Sequence, residues 1–196
     1  MKGIGYYNLV LILVILICLG FLIFQNSFRF SGKTVEIPVS SNVSISKYVS
    51  ITFSSNLSEG ILFGVVSVLP AENINASHNY DGESNSTSLY INVSADGNTA
   101  VDFCIRANDN LTSVAADAIG LANETYANST VTNTGTPGAA ANSTALTTSY
   151  VKSGNAVSTG GVNYYRFWLD IPAAQPSGNY NNTVFFKGVT TTLSCG

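Results

Sequence analysis

The chain has 196 residues, enough for one domain of ordinary size plus an anchor. Charged residues make up only 10% of it, against roughly 25% in typical soluble domains, and the net charge is −3. Eight scattered Lys and Arg cannot supply the clustered positive field that phosphate backbones require, so nucleic acid is excluded as a partner.

The first element is apolar. Leu9 to Phe24 reads LVLILVILICLGFLIF, with neither a charge nor a strong polar group. Extended back to Ile4, residues 4–24 form a run of about 20, which crosses a hydrocarbon core of about 30 Å as a helix. Tyr6, Tyr7 and Phe28 suit the interfacial belts. Residues 1–30 therefore read as one N-terminal transmembrane anchor or signal, and residues 31–196 as an extracytoplasmic domain. An uncleaved anchor is favoured, because the run exceeds a signal h-region and Phe-Gln-Asn-Ser-Phe offers no small-x-small cleavage site. The alternatives are a cleaved secretory signal and a prepilin-like leader. In the latter, Lys2-Gly3 directly before the helix resembles the processing site of archaeal pilins and archaellins.

Lys2 on one side and Arg29 and Lys33 on the other leave the positive-inside bias almost neutral. Glycosylation signals decide the orientation. Asn-x-Ser/Thr occurs at Asn42, Asn56, Asn75, Asn85, Asn92, Asn110, Asn123, Asn128, Asn142 and Asn181. With about one residue in five being Ser or Thr, chance predicts about four or five such sites, so the excess points to an exported glycoprotein. Cys18 lies within the apolar run behind Ile17, not behind the small residue of a lipidation site. Cys104 and Cys195 remain as an even pair, either one disulfide or two buried thiols.

Beyond Lys33 the pattern is period-two. Val35, Ile37 and Val39 share one face of a first strand. Val43, Ile45, Val49, Ile51 and Phe53 face inward along a second. Ile61 to Leu69 (ILFGVVSVL) is apolar on both parities, as expected of a strand covered on each side. Leu89, Ile91, Val93 and Ala95 alternate inward, and Asp96-Gly97-Asn98 predicts a hairpin turn. The expected partner strand puts Val101, Phe103 and Ile105 inward, and Asp102, Cys104 and Arg106 outward. Leu111 to Ala122 predicts a short helix. The surrounding stretch, about 108–161, reads as a decorated excursion, since from Asn123 to Tyr150 it is nearly uncharged, poor in large apolar groups and rich in sequons. Last comes a hairpin, with Tyr165, Phe167, Leu169 and Ile171 inward on one strand and Tyr180, Val184 and Phe186 on the other. The sequons at Asn42, Asn92 and Asn181 fall on polar parities, where a glycan can meet solvent.

Many short strands, little helix and frequent turns predict an all-β fold, an antiparallel Ig-like β-sandwich with a jelly roll as the alternative. No catalytic motif is present. The single histidine, His78, sits in a loop, with no Gly-x-Ser-x-Gly, His-Glu-x-x-His or Cys-x-x-Cys. Asp81, Glu83 and Asn85, and separately Asn108, Asp109 and Asn110, make oxygen-rich patches without a calcium-loop spacing. The reading is thus no enzyme, no catalytic residue, no metal and no cofactor.

FWLDIPAAQPSGNYNNTVFF, from Phe167 to Phe186, resembles the closing hairpin of β-sandwich domains in archaeal surface and filament proteins. The resemblance covers about 25 residues within 164–189. It implies an extracytoplasmic structural role and brings no site residues. A membrane-anchored structural glycoprotein of the cell surface is therefore expected, self-associating or contacting other envelope proteins. One alternative is a pilus-like or donor-strand filament subunit, with KTVEIPV after the helix as a suitable donor. Another is an adhesion or glycan-binding module using Tyr164, Trp168 and Phe185 as a partner face.

Overall fold

The structure is a computed structural model, and it describes residues 5–27, 40–81, 85–133 and 135–196. The strand expected over residues 34–39, the Lys2-Gly3 dipeptide, Phe28, Arg29, Lys33 and Glu83 lie outside the described residues. The chain divides into two units, Met1–Ser44 and Ile45–Gly196.

In the first unit, α1 spans Tyr6–Ser27, 22 residues, or about 33 Å at 1.5 Å per residue. Six Leu favour the helix and six β-branched Ile and Val tolerate it, and its only glycine is Gly20. From Tyr7 to Leu22 every side chain is exposed, so the helix is apolar all round rather than on one stripe. Among the described residues no helix is long and apolar enough to cross a membrane.

The second unit is all-β and antiparallel. Its larger sheet orders β1 (Ile51–Phe53), β3 (Tyr90–Val93), β10 (Val162–Ile171), β7 (Glu124–Ser129) and β8 (Thr144–Ala145), with β2 (Ala71–Asn75) also on β10. Its smaller sheet is β11 (Val184–Thr190), β4 (Val101–Ala107) and β9 (Val151–Val157). β5 (Leu111–Thr112) and β6 (Ala118–Ile119) form a separate two-strand ribbon. The two main sheets pack face to face through aromatics. Phe186 of β11 lies edge-on to Tyr165 of β10 at 5.2 Å and to Phe53 of β1 at 5.5 Å. Phe103, Tyr165 and Phe167 are wholly buried in this core. Each such side chain contributes about 1.5–3 kcal/mol by leaving water, which is why the large apolar parity of these strands sets the sandwich.

Several expectations are corrected. Leu111 to Ala122 is not a helix but the β5–β6 ribbon followed by a 3-10 turn at Leu121–Asn123. The Ser113 hydroxyl accepts from the Asp117 N–H, and Ala116 takes φ 67°, which closes a turn where a helix would have continued. The excursion at 108–161 is not peripheral, since β7 within it pairs along β10 from Tyr164 to Leu169. Two predicted hairpins also open up. β3 and β4 enter different sheets, as do β10 and β11, so both turns are crossovers between layers. Of residues 42–53 only Ile51–Phe53 is strand, and Val43 and Ile45 are exposed. Asp102 and Cys104, expected outward, are buried: Cys195 is bonded to Cys104, and Lys152 and the Ala156 N–H of β9 close on the Asp102 carboxylate. Finally, Ile61 to Leu69 forms no strand, and Val65 is 99% exposed.

Candidate functional site

The region around β10 explains most of the buried polar groups. β3 pairs with the start of β10, at Val162–Tyr164, and β2 with its end, at Trp168–Ile171. The gap between them on that edge is closed by side chains together with two backbone bonds, from the Ala76 N–H to the Phe167 carbonyl at 3.0 Å and from the Tyr165 N–H to the Leu89 carbonyl at 2.8 Å. The Thr87 hydroxyl donates to the Tyr165 carbonyl at 2.7 Å, and the Asn79 carboxamide bonds both backbone groups of Phe167. The ladder thus continues without a strand.

The other face of β10 carries Arg166. Its guanidinium is buried and donates to three carbonyls, Asn79 at 3.0 Å, Pro137 at 2.6 Å and Asn85 at 2.7 Å. Tyr80 lies over it at 4.4 Å. Burial lowers the Arg166 pKa. One side chain therefore ties together two loops that come from either side of β10. Trp168, two residues on along the same parity, is 2% exposed. This corrects its assignment to a partner face: β10 is an interior strand whose outer side the loops cover. Tyr164 is half-buried and tilted against Tyr90, with ring centroids 5.6 Å apart. Asp170 does not pair with Arg166 but accepts from the Asn73 N–H at 2.6 Å.

His78 is held rather than free. Its Nδ1 meets the Asp81 carboxylate, whose other oxygen accepts from the Ser88 hydroxyl, and Glu59 lies 3.8 Å from its Nε2. Burial would raise the Asp81 pKa, but the hydrogen bonds from Ser88 and His78 outweigh it and leave the group below its ordinary value. Serine and imidazole both turn to the same carboxylate, so the Ser88 hydroxyl bonds Asp81 and not the His78 ring. Among the described residues no group of acidic, His and Cys side chains is arranged to hold a metal ion.

Cys104 and Cys195 form a disulfide, with Cα atoms 5.8 Å apart. On the outer side of the smaller sheet, Arg106 lies over Phe185 at 4.3 Å and over Tyr150 at 5.0 Å. Lys187 also covers Tyr150, at 4.3 Å, and bonds the Cys195 carbonyl. Lys152 bonds Asp102 at 2.5 Å. Phe185 is 36% exposed, and its ring lies beneath the Arg106 guanidinium. Tyr164, Trp168 and Phe185 therefore do not form one face, because the first two belong to β10 and the third to the opposite sheet.

A groove of about 1130 Å³ lies at the end of the sandwich where β10 finishes and β11 begins. Residues 60–67 form one wall and residues 175–184 another, with Leu169, Ile171 and Phe186 at its base. Glu124 reaches this groove though it is almost wholly buried, and it accepts from the Asn182 amide at 2.6 Å. Its pKa is raised by burial, against the pull of that hydrogen bond. Sequence reasoning missed the groove, because an apolar run reads the same whether or not a neighbour covers it.

The ten sequons divide by exposure. Asn42, Asn75, Asn85, Asn142 and Asn181 are exposed, and Asn56, Asn92, Asn110, Asn123 and Asn128 are half-buried. Two of the latter spend the amide that a glycan would need: Asn56 Nδ2 donates to Ser88 at 2.7 Å and Asn128 Nδ2 to Asn163 at 3.3 Å.

Compared with known proteins, the chain matches no family model and no curated protein sequence.

Proposed function

We propose that this chain is a non-enzymatic, membrane-anchored cell-surface glycoprotein with a structural role in the envelope. The observation that carries the reading is the junction of two unlike units. A 22-residue helix, apolar on every side, precedes a β-unit with exposed asparagines in glycosylation sequons. A helix that is apolar all round needs an apolar solvent, and a glycan needs water. The two together favour a single pass with the β-unit outside the cytoplasm. We read the β-unit more finely as Ig-like, since a three-stranded sheet against a larger one suits that fold better than the two equal sheets of a jelly roll. The resemblance to archaeal surface and filament proteins belongs to the same proposal, resting on the sequence of 164–189 and not on a hairpin pairing.

Membrane fractionation with glycosidase treatment tests the reading. A membrane-bound chain that loses mass on deglycosylation is expected. An unglycosylated chain in the cytosolic fraction would overturn it.

A further inference from the structure

The groove at the end of the sandwich has a carboxyl at its inner end, and strand register puts it there. Glu124 stands opposite Leu169 and two residues before Tyr126, so it shares the parity whose side chains point between the sheets. It is 1% exposed, and it shares the groove with Leu111, Ile119, Leu169, Ile171 and Phe186. A carboxylate accepts at about four positions. The Asn182 amide, a neutral donor, takes one of them at 2.6 Å. Among the described residues that line the groove, Glu124 is the only acid, and none is Lys, Arg or His. A carboxylate set among apolar groups is costly unless a cation meets it, and burial accordingly raises the Glu124 pKa. The walls are braced in advance. The Gln175 amide donates to the Tyr180 hydroxyl at 2.9 Å, which donates to the Pro176 carbonyl at 2.8 Å. Opposite, the Ser77 N–H holds the Leu62 carbonyl at 2.7 Å. A volume of about 1130 Å³ suits the larger small-ligand sites, which run to roughly 1,000 Å³.

We infer that this groove binds a small amphipathic amine, with its protonated nitrogen on the Glu124 carboxylate and its apolar body along Ile61, Phe63 and Ile171. Charge complementarity selects the head group. An ammonium supplies the charge that the lining lacks, together with donors for the carboxylate oxygens that Asn182 leaves. A hydroxyl would donate one hydrogen bond without the charge, and a carboxylate would meet its own sign. The apolar walls select the body, since a fully polar amine would gain nothing from Ile61, Phe63 and Ile171. This goes beyond the structural role proposed above by giving the β-unit a ligand, and it holds wherever the chain is anchored.

Calorimetric titration of the full-length chain in detergent with phenylbutylamine tests this, beside phenylbutanol and phenylbutyrate, which keep the apolar body and change the head. The amine should bind about tenfold or more tightly than the alcohol, and the acid more weakly than either. In Glu124→Gln the amine should fall to the alcohol's affinity. Thermal unfolding of that variant at or above the parent's temperature would show that the fold survives. Partition into detergent is common to both chains and cancels between them. Equal binding of amine and alcohol to the parent would overturn the inference, leaving an apolar cleft indifferent to the head group. Amine binding that Glu124→Gln does not weaken would overturn it as well, as would no saturable amine binding. So would binding of the blocked peptide Leu-Ile-Lys-Val-Leu without binding of the amine, which would make the occupant a polypeptide.

Discussion

Asn79 serves Phe167 as a substitute strand: its Nδ2 donates to the Phe167 carbonyl at 2.6 Å, and its Oδ1 accepts from the Phe167 N–H at 2.9 Å. One side chain thereby bonds both backbone groups in the gap between β2 and β3 on the edge of β10, the carbonyl also taking the Ala76 N–H. Asn79→Ala would orphan the buried Phe167 N–H, while the carbonyl keeps the Ala76 N–H, and should cost about 1–3 kcal/mol in chemical denaturation. Asn79→Asp should also destabilise, since it keeps an acceptor for the Phe167 N–H but buries a carboxylate against the Phe167 carbonyl. If either variant unfolds like the parent, the amide is not bridging the ladder.

Arg166 holds the loops over the outer side of β10 through three carbonyls. Arg166→Met keeps much of the volume but removes the donors, and should destabilise the β-unit by about 3 kcal/mol or more. Arg166→Lys should recover only part of this, because an ammonium cannot reproduce the planar fork. Limited proteolysis of the loops around Asn85 and Pro137 should accelerate in both variants.

Asp102 and Glu124 should respond oppositely to pH. Burial would raise the Asp102 pKa, but hydrogen bonds from Lys152 and the Ala156 N–H overcome it and leave the group low. A depressed carboxylate contributes stability above its unfolded pKa, and that contribution is lost as pH falls through the lower folded value. Glu124 is raised by burial, so its ionisation costs stability above its folded pKa, and the cost disappears as pH falls toward the unfolded value of 4.5. Glu124→Gln, which keeps an acceptor for Asn182, should therefore raise the melting temperature at pH 7, with the gain shrinking toward acid. Asp102→Asn should lower it at pH 7, with the loss shrinking below the unfolded carboxylate range. Parallel pH profiles for the two variants would contradict the assignment.

These polar arrangements show what was legible beforehand. Tyr165, Phe167 and Leu169 alternate as large apolar groups, and burial of that parity is what local sequence states most plainly. Glu124–Ser129 gives no such signal. ETYANS holds one large ring and small or polar neighbours, yet it lies beside β10 because Tyr126 and Ala127 pack there. Turn chemistry around Gly97 fixes a reversal but not whether the next strand pairs or crosses to the other sheet. Parity likewise places Arg166 and Trp168 on an outer side without saying that loops distant in sequence cover it. The groove was invisible for the same reason, since ILFGVVSVL states an apolar demand and not whether a neighbour meets it.

The Cys104–Cys195 bond closes a separation of 91 residues. Constraining a loop of that length in the unfolded chain is worth roughly 4–5 kcal/mol in the entropy model, and removal of native disulfides costs about 2–5 kcal/mol. The double variant Cys104→Ala with Cys195→Ala should unfold at correspondingly lower denaturant. A reductant should shift the parent to the same midpoint while leaving the variant unmoved.

Glycan occupancy should follow the exposed asparagines. Peptide mass spectrometry should find sugar at Asn75, Asn142 and Asn181, which are exposed, and none at Asn56 or Asn128, whose amides are bonded within the fold. Sugar at the bonded pair but not at the exposed three would reverse the inference from the surface.

The account stands or falls on what becomes of residues 6–27 in the mature protein. Determining the N-terminus of the chain recovered from the membrane fraction, by intact mass and terminal sequencing, tests this most directly. The account predicts that the apolar helix is retained and that the sandwich beyond it carries glycan. A mature chain beginning beyond Ser27, or an unmodified chain recovered from the cytosol, would contradict it.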